Sequence, residues 1–160
     1  MSTSTVKEAV DVGVSVHTAY NQWTQFEHFP RFMEGVEEVR QLDDRHNHWI
    51  TSIGGVRREF DTEIVDQAPD ERITWRSVDG DTRQRGSVRF EPLDDAHTRV
   101  ELTMEVEPTG VAEKTADVLG VIDRRVKGDL RRFKDYIEDR GDETGGWRGR
   151  IRPEDPGTSL

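Results

Sequence analysis

The sequence predicts an α+β fold in which a curved, seven-stranded antiparallel sheet wraps around one long C-terminal helix, with two short helices between the first two strands. Three observations lead there. A proline-free run over residues 111–140 places Leu119, Ile122, Val126, Leu130, Phe133 and Ile137 at steps of three and four, which is one apolar stripe on a 3.6-residue helix. Ahead of it, from Gly35 onward, six strand-like segments are separated by turn residues. A helix of that length spans roughly 45 Å, and only a broad sheet has the area to cover its stripe.

In chain order, Val6, Glu8, Val10 and Val12 alternate with Lys7, Ala9 and Asp11, so the first strand has one partly apolar face, and Gly13 closes it. Ser15 is placed to cap a helix over 16–25, whose bulky side carries Tyr20 and Trp23. Residues 26–33, FEHFPRFM, pack three phenylalanines and Met33 around Pro30, which suits a second short helix or a tight turn buried by its rings. Strands follow over 36–42, 48–53, 56–66, 72–78, 84–91 and 98–107. Gly54-Gly55 is a two-residue hairpin signal, and Pro69-Asp70, Asp79-Gly80 and Asp94-Asp95 mark other turns. The last strand alternates most cleanly, with Val100, Leu102, Met104 and Val106 on one face and charged residues on the other; Val88 with Phe90, Ile73 with Trp75, and Phe60 with Ile64 repeat the pattern. A twisted sheet of this width curls, so one helix cannot fill its concave side, and a gap opens where the two diverge.

The domain is expected to cover residues 1–140. Residues 141–160, rich in Gly, Pro and charge, read as a mostly disordered tail on which Trp147 and Ile151 are the candidates for docking. Thirty-three acidic against 23 basic residues give a net charge of −10, which speaks against nucleic acid or an anionic membrane as main partner. With no cysteine there is no disulfide framework and no thiolate chemistry. The N-terminus lacks a signal-peptide pattern and no apolar run is long enough to span a bilayer, so a cytoplasmic location without integral membrane association is expected.

Several stretches carry a family resemblance: AYNQWTQFEHFPRFMEGVEEVRQL over 19–42, PDERITWRS over 69–77, FEPLDDAHTRVEL over 90–102, and DLRRFKDYIE in the closing helix. Over about residues 4–140 the chain resembles the SRPBCC superfamily of helix-grip domains, and most of all its polyketide cyclase/dehydrase and coenzyme-Q-binding START-type branch. The resemblance implies a deep apolar pocket for a polyketide, quinone or lipid-like molecule between sheet and helix, held by a carrier or sensor with no cofactor. It leaves open the alternative of a polyketide cyclase/dehydratase acting on a poly-β-ketone. Aromatase/cyclase members use a pocket arginine and tyrosine, and Val36 stands where such a tyrosine is expected; the chain's two tyrosines are Tyr20 and Tyr136.

Candidate pocket residues follow from both lines of reading. Trp23, Phe26, Phe29, Phe32 and Met33 either line the pocket mouth or fill the end of the sheet as core. Phe60, Trp75, Phe90 and Met104 lie on inferred inner faces, as do the hydroxyls of Thr62 and Ser77, which can serve a ligand carbonyl or bond the local backbone. Leu119 and Ile122 face them from the helix. Asp123 lies beside the helix stripe and Asp129 at its other edge; either can act as a pocket acid or base, against the plainer reading of a rim salt bridge with Arg76 or Arg58. Residues 118–122, VLGVI, are apolar all round and suit enclosure or a homodimer contact. His46, Asn47 and His48 fall in the expected 43–48 turn without metal-ligand spacing, so no metal site is expected.

Overall fold

The computed structural model describes residues 4–53, 55–80, 84–106 and 115–152. Seven strands form one antiparallel sheet: β1 (Ser4–Val12), β2 (Val36–Gln41), β3 (His46–Ile53), β4 (Val56–Ala68), β5 (Arg72–Gly80), β6 (Gln84–Asp94) and β7 (His97–Val106), in the order β1-β7-β6-β5-β4-β3-β2. The first strand thus closes on the last, while β2 to β7 run as a meander. Helix α1 (Val16–Trp23) and a 3-10 turn (Phe26–Arg31) separate β1 from β2, and α2 (Thr115–Arg140) ends the fold. Ser15 caps α1 by accepting from Thr18 N–H.

The expected strand boundaries shift at one place that matters. The 46–48 tripeptide is not an exposed turn: it opens β3, because β4 is long enough to pair back to His46 through Glu63. Asn47 is consequently buried, and His48 points to the outer face between Asp61 (2.6 Å) and Glu59 (3.1 Å). Ile53 pairs with Val56, and Gly55 between them has φ +82°, a backbone angle that favours glycine; Gly54 lies outside the described residues.

Helix α2 lies nearest β1 and buries Val126, Leu130, Phe133 and Ile137. Its two flanks are tied differently. Toward β1, Lys134 Nζ donates to Asp11 O at 3.2 Å and Gly13 N–H donates to Glu138 Oε2 at 2.7 Å. Toward the 3-10 turn, Arg132 Nε donates to Phe32 O at 3.0 Å, and Asp129 accepts from Glu34 N–H at 3.2 Å. Burial pushes the Asp129 carboxyl up, partly offset by its bond from Arg132. Asp129 is therefore an anchor for the Phe32–Glu34 segment.

Through Arg152 the described segment beyond α2 is packed on the body. Thr144 accepts from Gln22 Nε2 at 3.0 Å and donates its own N–H to Gln22 Oε1 at 2.9 Å, satisfying both ends of a fully buried amide. Arg148 reaches Asn21 and Asp70 and lies 5.5 Å over the Tyr20 ring. Asp70 sits in the β4–β5 turn at φ 64°, a left-handed conformation that aspartate tolerates. Ile151 pairs with Gln67 as an isolated bridge, and Trp147 packs against the core, so both expected docking residues dock. The reason is polar: α1 is so short that Asn21, Gln22 and Thr24 need partners, and residues 143–148 bring them.

Candidate functional site

The inner face of the sheet can be read row by row from the register. Trp75 of β5 opposes Gly86 of β6, which opposes Met104 of β7, which opposes Val6 of β1. In the next row Ile73, Val88, Leu102 and Glu8 align. A third row, toward β3, brings Asn47, Thr62 and Ser77 together. The opposite face is wet: Arg72, Arg89, Arg99, Glu71, Glu91 and Glu101 line a charged groove of about 310 Å3 in which guanidinium and carboxylate groups alternate.

The predicted pocket residues separate into two groups. Trp23, Phe26, Phe29, Phe32 and Met33 are sealed, at 2–8 % exposure, and their rings pack on one another and on Phe133. Phe60 is buried beneath Trp49, their rings stacked at 6.1 Å, and Phe90 is buried edge-on against Tyr20 at 5.4 Å. Trp75, Ser77, Met104 and Ile122, by contrast, are only half-buried. The side chain of Leu119 lies outside the described residues.

The hydroxyls have local partners. Trp49 Nε1–H donates to Thr62 Oγ1 at 2.8 Å, and Gln84 N–H donates to Ser77 Oγ at 3.0 Å. Thr62 is fully enclosed, whereas Ser77 shares the half-open end with Trp75.

Asp123 does not meet Arg76 or Arg58. Arg76 is taken across the outer face by Glu63 at 3.0 Å, because residue 76 is on the wet side of β5. The partners of Asp123 are Lys127 one helical turn on, at 3.5 Å, and Glu8 of β1. Glu8 was legible only as a polar residue on an otherwise apolar strand face. Its hydrogen bond with Asp123 holds the Glu8 carboxyl above its usual range, with burial adding to the effect, while the same bond holds Asp123 below its own. Of the two carboxyls, Glu8 is therefore the one that takes up a proton more readily. Lys127 Nζ also stands 3.9 Å from Glu8, so the seam beside β1 carries two carboxyls and one ammonium. Among the described residues no cluster of His, Asp and Glu can hold a metal ion, and no helix is long and apolar enough to cross a membrane.

A curled antiparallel sheet holding a C-terminal helix, with a half-open inner face at one end, is the geometry against which relatives can be compared. The profile of the family described as polyketide cyclase/dehydrase and lipid transport matches residues 12–135. This chain belongs to that family. An uncharacterized 17.2 kDa protein of Streptomyces lincolnensis is 57 % identical over 148 residues, which cover 92 % of this chain and 99 % of that one. Among solved structures, a START superfamily protein from Mycobacterium smegmatis superposes with a TM-score of 0.75 at 18 % identity, covering 84 % of this chain and 97 % of that one. The Zhui aromatase/cyclase from Streptomyces sp. R1128 also superposes at 0.75, with 16 % identity over 91 % of this chain and all of that one. At such identities the two structures speak to the fold, which they share with this chain as a helix-grip domain.

Proposed function

We propose that the protein binds a hydrophobic or aromatic small molecule between the inner face of the sheet and the first half of α2, as a carrier or sensor. One observation carries the reading: on the β5–β7 side of the seam Trp75, Met104 and Ile122, all packed against the core, remain only half-buried, while the neighbouring Ile73, Val88 and Leu102 are sealed. Large apolar groups left accessible on a concave face gain by being covered. At ~25 cal/mol per Å2, about 300 Å2 of apolar ligand surface gives a gross gain of roughly 7 kcal/mol before the entropic costs of association. Mass spectrometry of an organic extract of the purified protein tests this, run beside Trp75→Ala. A stoichiometric apolar compound in the wild type that is reduced in the variant supports the reading. An empty wild-type extract, together with no binding of added quinones, lipids or aromatic compounds, refutes it.

A second reading, cyclisation or dehydration of a poly-β-ketone in the same space, is favoured by the Glu8–Asp123 pair. Two hydrogen-bonded carboxyls, with Glu8 shifted up and Asp123 shifted down, supply a candidate acid and a candidate base side by side. Turnover of a poly-β-ketone that survives both Glu8→Gln and Asp123→Asn removes this pair from consideration.

The acidic chain supports a small molecule rather than nucleic acid as partner; the cytoplasm is the proposed location, which imaging of a tagged chain tests. The apolar sequence 118–122 supports pairing of two copies, and sedimentation across a concentration series checks it.

A further inference from the structure

We propose that Gly86 is a specificity-determining position: lacking a Cβ, it lets the Trp75 indole lie face-down across β6, so that the opposite face of the ring forms a floor that selects planar ring systems over flexible acyl chains. This rests on the ligand-binding reading above and names the ligand class within it.

The geometry is specific. Trp75 and Gly86 are directly opposed across β5 and β6. A Cβ built on Gly86 would fall against the indole, with Cζ2 nearest, Cε2 at 2.5 Å and Cη2 at 3.0 Å. Those distances place the Cβ position to one side of the ring plane, above its Cε2–Cζ2 edge. The indole therefore lies with one face against the Gly86 backbone, and its other face turns away from β6.

That outer face has no aromatic cover. Ring pairs tie the other inner-face aromatics together, but among the described residues no ring packs on Trp75. Met104, opposite Gly86 in the same row, supplies a pliable wall. A flat ring gains from offset stacking on a fixed indole and loses that geometry when the indole tilts. An alkyl chain re-forms its contacts on a tilted ring with little loss.

A purely structural role, in which the indole only shields a strand glycine, predicts loss of stability without loss of selectivity. Calorimetric titration with anthraquinone-2-sulfonate and with decanoate separates the two, because each probe carries one negative charge and they differ in shape. The wild type is expected to prefer the anthraquinone. In Gly86→Ala its affinity is expected to fall about tenfold, with decanoate changed by less than about twofold. Trp75→Leu removes the floor without overcrowding β6, and is expected to abolish the preference; it keeps the inference testable where Gly86→Ala does not fold.

Equal weakening of both probes in folded Gly86→Ala, no change in either, or an anthraquinone preference retained in Trp75→Leu overturns the proposal. A wild type that binds decanoate alone overturns planar selection while leaving ligand binding intact. A wild type that binds neither probe also overturns the selection, and the binding reading then stands or falls on the organic extract.

Discussion

The two ends of the seam between sheet and helix use aromatic side chains in opposite ways. At the end built by α1, the 3-10 turn and the second half of α2, eight rings from Trp23, Phe26, Phe29, Phe32, Trp49, Phe60, Phe133 and Tyr136 pack on one another at centroid distances of 5.1–6.1 Å. Ring faces there are spent on other rings. At the β5–β7 end, Trp75 rests on backbone, and one of its faces is left over. The difference shows that an aromatic residue on an inner face becomes core or binding surface according to what its neighbours supply, not according to its own type.

Breaking the packed end has the largest expected effect. Phe133 is fully buried between Trp23 and Phe32, so Phe133→Ala is expected to cost about 3–5 kcal/mol in denaturant unfolding. Probe selectivity of the fraction that remains folded is expected to be unchanged. If selectivity collapses as well, the two ends are not separate.

The brace on the same end comes next. Thr144→Val takes away the acceptor of Gln22 Nε2, the partner of His28 Nδ1 at 2.8 Å, and nothing else in that contact. A buried amide left half-satisfied costs about 1–3 kcal/mol, read as a lower unfolding midpoint, again without a change in ligand preference.

At the open end the order reverses. Trp75→Ala is expected to lower affinity for anthraquinone-2-sulfonate about tenfold, or ~1.4 kcal/mol, while lowering stability by only about 1 kcal/mol because the side chain is half-buried. Phe90→Ala makes the paired control: sealed against Tyr20, it is expected to lose more stability and less affinity than Trp75→Ala. Equal affinity losses in the two would erase the distinction drawn above.

The smallest effect lies on the other face of the sheet. The hydrogen bond to Asp61, helped by Glu59 and opposed by burial, holds His48 above its usual range. A raised folded-state pKa favours the charged form, so its contribution is fully present below about pH 6.5 and is lost as pH rises through the folded value. His48→Gln is therefore expected to destabilise the chain at pH 6 by less than about 1 kcal/mol and to be nearly neutral at pH 9. Ligand preference is expected to be the same at both.

Much of the fold is legible in the sequence because periodicity reports directly on one-sided burial. The stripe Ile122, Val126, Leu130, Phe133 and Ile137 and the alternation Val100, Leu102, Met104 each have a physical cause that acts within one element. The pairing of His46 with Glu63 was not legible, since it depends on how far β4 reaches, and neither was the use of Thr144 to satisfy Gln22, more than a hundred residues away. Glu8 carries a faint signal, an acid on an apolar strand face; Asp123 stands out beside the helix stripe, but its pairing with Glu8 depends on the packing of α2 against β1, which the sequence does not contain.

What the sequence determined alone was the order of elements, the side of each strand that faces inward, and the set of large apolar residues available there. Only the tertiary structure divided that set, sealing Trp23, Phe29 and Phe32 while leaving Trp75, Met104 and Ile122 half-open. The physical reason is that alternation encodes the direction of a side chain, whereas exposure depends on the volume of whatever packs above it. At the closed end that volume is phenylalanine from the 3-10 turn. At Gly86 it is a missing methyl group, whose consequence depends entirely on the residue opposite.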